Sequence, residues 1–182
     1  MIPFSSSWFI KGLSHPAMTP SHIMLILAMG LLLGQQAKSG LPGRLATLLI
    51  SVVIGFILNQ YLSDTVKNLF NTELILLLLA LSIGLLTLLK LTLHNALLIP
   101  VILFAGIMLG LDSTPAMIPG LRSVSTNSWL FGAGSGIVAL VTIMSLVSLA
   151  LHNVLKGLIL RILASWIATS AIFVLTLMLA KH

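Results

Sequence analysis

Two histidines, His15 and His22, stand seven residues apart in the stretch FIKGLSHPAMTPSHIMLILAMGLLLGQQ, residues 9 to 36, with Pro16 and Pro20 between them. On one continuous helix this spacing covers two turns, about 10 Å, too far for both rings to hold one ion. Thr19-Pro20, however, reads as a helix start: an N-cap, then a proline at the first helical position, where its missing N–H costs nothing. His15 then falls on the preceding turn and can fold back beside His22. Two imidazoles at about 2 Å from one ion suit Zn, Ni or Cu, and the thioethers of Met18 and Met24 would tilt the site towards Cu(I). The same two rings can equally serve as polar anchors where a helix meets the water–lipid boundary. Spacing alone leaves both readings open.

Other reactive groups are sparse. Asp112 is the only ionisable residue near the end of the fourth apolar segment, FAGIMLGLDSTP, and so joins His15 and His22 as a candidate metal ligand. The tripeptide LHN recurs at 93–95 and 151–153. Both copies fall at segment boundaries, where Asn serves as a cap and His94 and His152 have interfacial roles. GAGSG at 132–136 resembles the serine turn of an intramembrane protease, but Ala133 takes a required glycine place. His152 would also lie about 25 Å from Ser135 along one helix, out of reach as its base. No enzyme is expected. The chain has no cysteine, which removes disulfides, zinc–thiolate sites and thiol nucleophiles together.

What must position these residues is set by composition. The chain is 58% hydrophobic and only 7% charged, with a mean hydropathy of +1.18. A soluble domain carries roughly 25% charged residues. So few charges cannot cover a surface facing water, and the surrounding medium is lipid. The +6 net charge is scattered singly over loop positions, without the basic patch that nucleic acid requires. The opening residues lack a charged region followed by a pure apolar run, so no cleavable signal peptide is expected.

A spanning helix needs about 20 mostly apolar residues, and open strands cannot cross a bilayer with unpaired backbone groups. Six segments qualify, at about 20–37, 42–62, 73–89, 95–111, 129–151 and 158–180. The expected fold is thus an all-α integral membrane protein, a single six-helix transmembrane bundle, with one long outer loop at 112–128. Lys38 and Gly40 close the first helix and Pro42 opens the second. Asn71-Thr72-Glu73 caps the third, and Pro100 predicts a kink in the fourth.

Loops after helices one, three and five hold Lys38, Arg44, Lys90, Lys156 and Arg161 and no acid. The opposite side holds Lys11, Lys67, Arg122 and Lys181 with Asp64, Glu73 and Asp112. The purely basic turns are read as cytoplasmic, which puts both termini, the histidine segment and the 112–128 loop outside. Three small-residue pairs, Gly30/Gly34, Gly106/Gly110 and Gly132/Gly136, each lie on one helix face a turn apart. They suit tight helix packing within the chain, with a seam to another copy or subunit as the alternative.

The stretch GLSHPAMTPSHIMLILAMGLLLGQQ resembles the opening signature of the HupE/UreJ family, a pattern of the type H-P-x-x-G-x-D-H before an apolar helix. His15, Pro16 and His22 match it, with Gly30 and Gln35 in register behind them. PGRLATLLISVVIGFIL and WLFGAGSGIVALV fit the same layout. The resemblance implies a nickel or cobalt permease-like protein associated with supply to hydrogenase or urease. Thr19 and Ser21 stand where the pattern has Gly and Asp. In the second signature, a histidine-rich segment at the end of helix four, Ala105, Ile107 and Leu109 take the histidine places.

With so few ligands and an apolar fourth helix, the expected function is a HupE/UreJ-like accessory subunit. It would be non-transporting, multi-pass in the bacterial inner membrane, and docked in the bilayer against other membrane subunits. The alternative is a permease for a divalent metal (Ni or Co), or for Cu, with a reduced site at His15, His22 and Asp112.

Overall fold

A computed structural model describes residues 6–36, 40–62, 71–114, 123–152 and 157–180. Ala37, Lys38, Asp64, Lys67, Arg122, Lys156, Lys181, the second Asn of the LHN pair and the 115–122 centre of the outer loop lie outside them. Among the described residues there are seven helices and no strand: α1 Ser6–Met18, α2 Pro20–Gln35, α3 Leu41–Tyr61, α4 Thr72–Leu88, α5 Asn95–Asp112, α6 Ser123–Leu151 and α7 Leu158–Ala180.

Local chemistry explains where these helices begin. Pro20 bars helical geometry at the residue before it, so Thr19 is extended (φ −94°, ψ 117°) and the chain bends by 74° between α1 and α2. Thr19 makes no side-chain cap; its hydroxyl donates back to the His15 carbonyl at 3.1 Å. The histidine segment is thereby longer than the single turn expected: His15 sits near the end of a 13-residue helix. Asn71 Oδ1 accepts from the Leu74 N–H and caps α4. At α5 the cap is His94, whose Nδ1 accepts from the Ala96 N–H, and not Asn95 as the sequence suggested. α5 continues through Pro100 to Asp112, and α6 begins at Ser123, before Trp129. The connection between them is accordingly shorter than 112–128.

The core is built round α2, which is apolar on all sides and therefore belongs inside. Leu25, Ile26, Met29, Leu31, Leu32 and Leu33 are fully buried. α6 and α4 flank α2, α1 lies on α6, α3 on α5, and α7 on α4. Glycines line these seams. A Cβ at Gly30 or Gly34 would strike Met144, or Ser145 and Ser148, on α6. One at Gly106 or Gly110 would strike Ser51, or Val52 and Gly55, on α3, and one at Gly132 or Gly136 would strike Phe9 and Leu13 on α1. Without an apolar drive between helices in lipid, such backbone approach supplies the dispersion contact that holds them.

The outer faces are apolar as well, with Ile50, Val53 and Ile57 on α3 and Trp166 and Phe173 on α7 exposed. In water such faces would aggregate; in a bilayer they are solvated. Four helices, α3, α5, α6 and α7, are long and apolar enough to cross a membrane, and the bent pair α1–α2 makes a fifth. α4 is apolar and has 17 residues.

Candidate functional site

The polar residues collect at one end of the bundle, where α2, α4 and α6 start and α1, α3 and α5 finish. His22, in the first turn of α2, is fully buried, and its Nε2 lies 2.8 Å from Oδ2 of Asp112, the last residue of α5. As a neutral ring His22 donates this bond from Nε2–H, which leaves an acceptor lone pair on Nδ1. Thr72, the first residue of α4, donates its hydroxyl to the other carboxylate oxygen, Oδ1. One carboxylate thus ties three helix ends. Two of these ends are N-termini, whose unpaired N–H groups favour a negative charge.

His15 packs its ring against His22, centroids 5.2 Å apart and edge-on, and against Trp129 at 5.3 Å. The Trp129 indole N–H donates to the Ser113 carbonyl at 2.9 Å, one residue beyond Asp112. Trp8 leans on Trp129 from outside, with the Lys11 ammonium 4.8 Å above the Trp8 ring. Asn59, near the end of α3, donates to the Leu111 carbonyl at 3.3 Å and to the Thr114 hydroxyl.

The three residues singled out as metal ligands therefore meet, although His15, His22 and Asp112 come from three different helices. Their donor atoms do not surround a common point. Among the described residues no three His, Cys, Asp or Glu side chains are arranged to hold an ion. The reason is chemical: Nε2 of His22 is already bonded to the carboxylate. Met18 stands 80% exposed at the end of α1, and Met24 packs against the apolar core.

Three buried polar atoms at this end have no hydrogen-bond partner: Nδ1 of His15, Nδ1 of His22 and the Ser21 hydroxyl. Orphaned polar groups are rare in folded proteins, and each costs about 1–3 kcal/mol. Among the described residues, the hydroxyls buried deeper in the bundle are those of Ser51, Thr87, Ser145 and Ser148, and each donates to a backbone carbonyl.

The chain matches no family model, no curated protein and no solved structure.

Thr72, Trp129 and Asn59 were not singled out as site residues from the sequence. Thr72 had a faint signal, in the NTE cap at the start of its helix. Trp129 and Asn59 had none, since each acts through a carbonyl supplied by the α5 terminus. Gln35, which the resemblance carries, lies at the opposite end of α2. Its amide donates to the Thr87 carbonyl at 3.3 Å. Beside it Arg44 donates to the Gln36 carbonyl at 2.8 Å and to Asn95 Oδ1 at 3.1 Å, and Gln36 Oε1 accepts from the Leu93 N–H. That end is stitched by amides and guanidinium groups.

Proposed function

We propose that this chain is a non-transporting, HupE/UreJ-like accessory subunit of a larger complex in the bacterial inner membrane. In this reading the His22–Asp112–Thr72 cluster is a structural latch. One observation carries it: Nε2 of His22 is taken by Asp112, and Ser51, Thr87, Ser145 and Ser148, buried hydroxyls deeper in the described bundle, are each bonded to a backbone carbonyl. An ion pathway needs converging ligands and polar groups within the span.

The bundle crosses six times in this reading, with both termini outside. α2 and α4 reach about 24 and 26 Å at 1.5 Å per residue, short of a bilayer core of about 30 Å. α2 is nearly enclosed by protein, so its length need not match the lipid, and α1 extends it to the surface. The opposite end, with Arg44, Lys90 and Arg161, takes the cytoplasmic side.

The orphaned Nδ1 atoms favour a second reading, a divalent-metal permease whose cargo docks at the α1–α2 bend after His22 releases Asp112. Two measurements on protein purified in mild detergent separate the two: elemental analysis, and a census of co-purifying chains. The accessory role expects a stoichiometric membrane partner and no bound metal. Stoichiometric nickel, cobalt or copper, lost in the His15→Ala/His22→Ala variant, would transfer the conclusion to the permease.

A further inference from the structure

The first helix differs in kind from the other six. Among the described helices α1 is the least apolar overall and the most sharply divided into an apolar and a polar side. Ile10, Leu13 and Ala17 recur at the spacing of one helix face, and all three are exposed. Lys11, Ser14 and Met18, one residue further on in each case, make the neighbouring face and carry the charge of the helix. Gly12 lies on a third side, buried against α6. A helix with one side on protein, one apolar side and one polar side belongs where protein, hydrocarbon and water meet.

Contacts with α6 show which side is which. A Cβ on Gly136 would meet Leu13, whereas one on Gly12 would meet Trp129, seven residues nearer the start of α6. The Leu13 edge of α1 is thus turned towards the interior of the span, and the Gly12 edge towards its end. Trp8 follows the Gly12 edge: its ring rests on Trp129, centroids 6.3 Å apart, and the Lys11 ammonium lies 4.8 Å above it. The chain then turns by 74° from α1 into α2. With α2 upright in a bilayer, α1 lies nearly flat, and its 13 residues add only about 5 Å to the depth that α2 covers.

The geometry points to α1 as an interfacial helix, lying along the membrane surface with its Ile10, Leu13 and Ala17 edge in the upper acyl chains and its Lys11 face among the headgroups. Two observations select the lipid surface as the partner of this edge. The edge continues an apolar flank of the bundle, since Phe131, beside the Gly132 seat of α1, is 73% exposed on α6. Above the edge stand two tryptophans and a lysine, the residues that settle at headgroup level. The inference rests on the reading that α2 crosses the bilayer, and it holds for an accessory subunit and a permease alike. It sets His15, and with it the contact to His22, at the depth where hydrocarbon gives way to water.

The test uses the full chain in vesicles of equal parts phosphatidylethanolamine and phosphatidylglycerol. Ile10→Cys, Lys11→Cys, Ala17→Cys and Met18→Cys, all at exposed positions where a label displaces no packing, each carry one nitroxide. Collisions with oxygen, which concentrates among acyl chains, and with chromium oxalate, which stays in water, report depth by electron paramagnetic resonance. The ratio of oxygen to oxalate contact should be severalfold higher for Ile10→Cys and Ala17→Cys than for Lys11→Cys and Met18→Cys, as for an apolar face sunk about 5–10 Å into the boundary. Depth then alternates along the helix. A steady change from the first position to the last overturns the proposal and makes α1 a continuation of the α2 span; equal ratios at all four also overturn it. Val53→Cys, exposed midway along α3, reads the crossing itself. A high ratio there without alternation in α1 defeats this inference alone, and free oxalate access there defeats the crossing and the inference together.

Discussion

His22 and Asp112, ninety residues apart in the chain, meet at 2.8 Å, Nε2 to Oδ2, where α2 begins and α5 ends. The pair joins these two helix ends, and Thr72 donates to the other carboxylate oxygen. A buried pair of this kind contributes through what its removal exposes more than through its own attraction.

Asp112→Ala therefore leaves the Nε2–H of a fully buried imidazole without its acceptor. The expected loss is about 1–3 kcal/mol, read as a lower melting temperature in detergent. His22→Ala combined with Asp112→Ala should cost less than the two changes summed, because the second removes a group the first had already orphaned. Strict additivity would mean that the contact is not energetically coupled.

Ser21 makes the opposite case. Its hydroxyl is fully buried without a partner. Ser21→Ala removes that unpaired group, and the melting temperature should hold or rise by the equivalent of about 1 kcal/mol. A marked fall would show that the hydroxyl has a partner in the membrane, such as an ordered water or an ion.

The glycines of the seams should separate cleanly from the others. Gly110→Leu drives a side chain into Val52 and Gly55 and is expected to part α3 from α5. Overpacking of this kind costs typically about 1–3 kcal/mol, and more where the obstacle is backbone. Gly43→Ala meets nothing within 4 Å in the first turn of α3. Helix propensity should make it neutral or stabilising by up to about 1 kcal/mol. Thermal melts of the two variants side by side test the packing.

Because the chain has no cysteine, single introduced thiols report sidedness without background. The proposed six crossings would place Ser7, on α1, and Gly43, at the start of α3, on opposite sides. A membrane-impermeant maleimide should label Ser7→Cys from outside and Gly43→Cys only after the membrane is opened. Labelling of both from one side would rule out that topology.

Much of the scaffold was legible in the residues. Thr19-Pro20, Leu41-Pro42 and Asn71-Thr72-Glu73 fix helix starts by rules that act within a few residues, and observed starts at Pro20, Leu41 and Thr72 lie within one residue of expectation. α1 was missed because Pro16 and the polar residues around it interrupt any apolar periodicity. Its order comes from Gly12, Gly132 and Gly136, which let it press against α6. The early start of α6 was missed because Ser123 to Ser128 hold a single apolar residue, Val124, too few to show a period.

The sequence by itself determined the solvent, since so few charges leave no choice but hydrocarbon, and it determined where most helices begin, since capping and proline effects are local. It also offered His15, His22 and Asp112 as the reactive set. Only the tertiary structure decided how that set meets. Long-range packing of α5 against α3, and of α2 between α4 and α6, delivers Asp112 to His22, whose Nε2–H donates to the carboxylate while its Nδ1 has no partner. Spacing along a chain carries no information about such a meeting, because it is fixed by how whole helices stack.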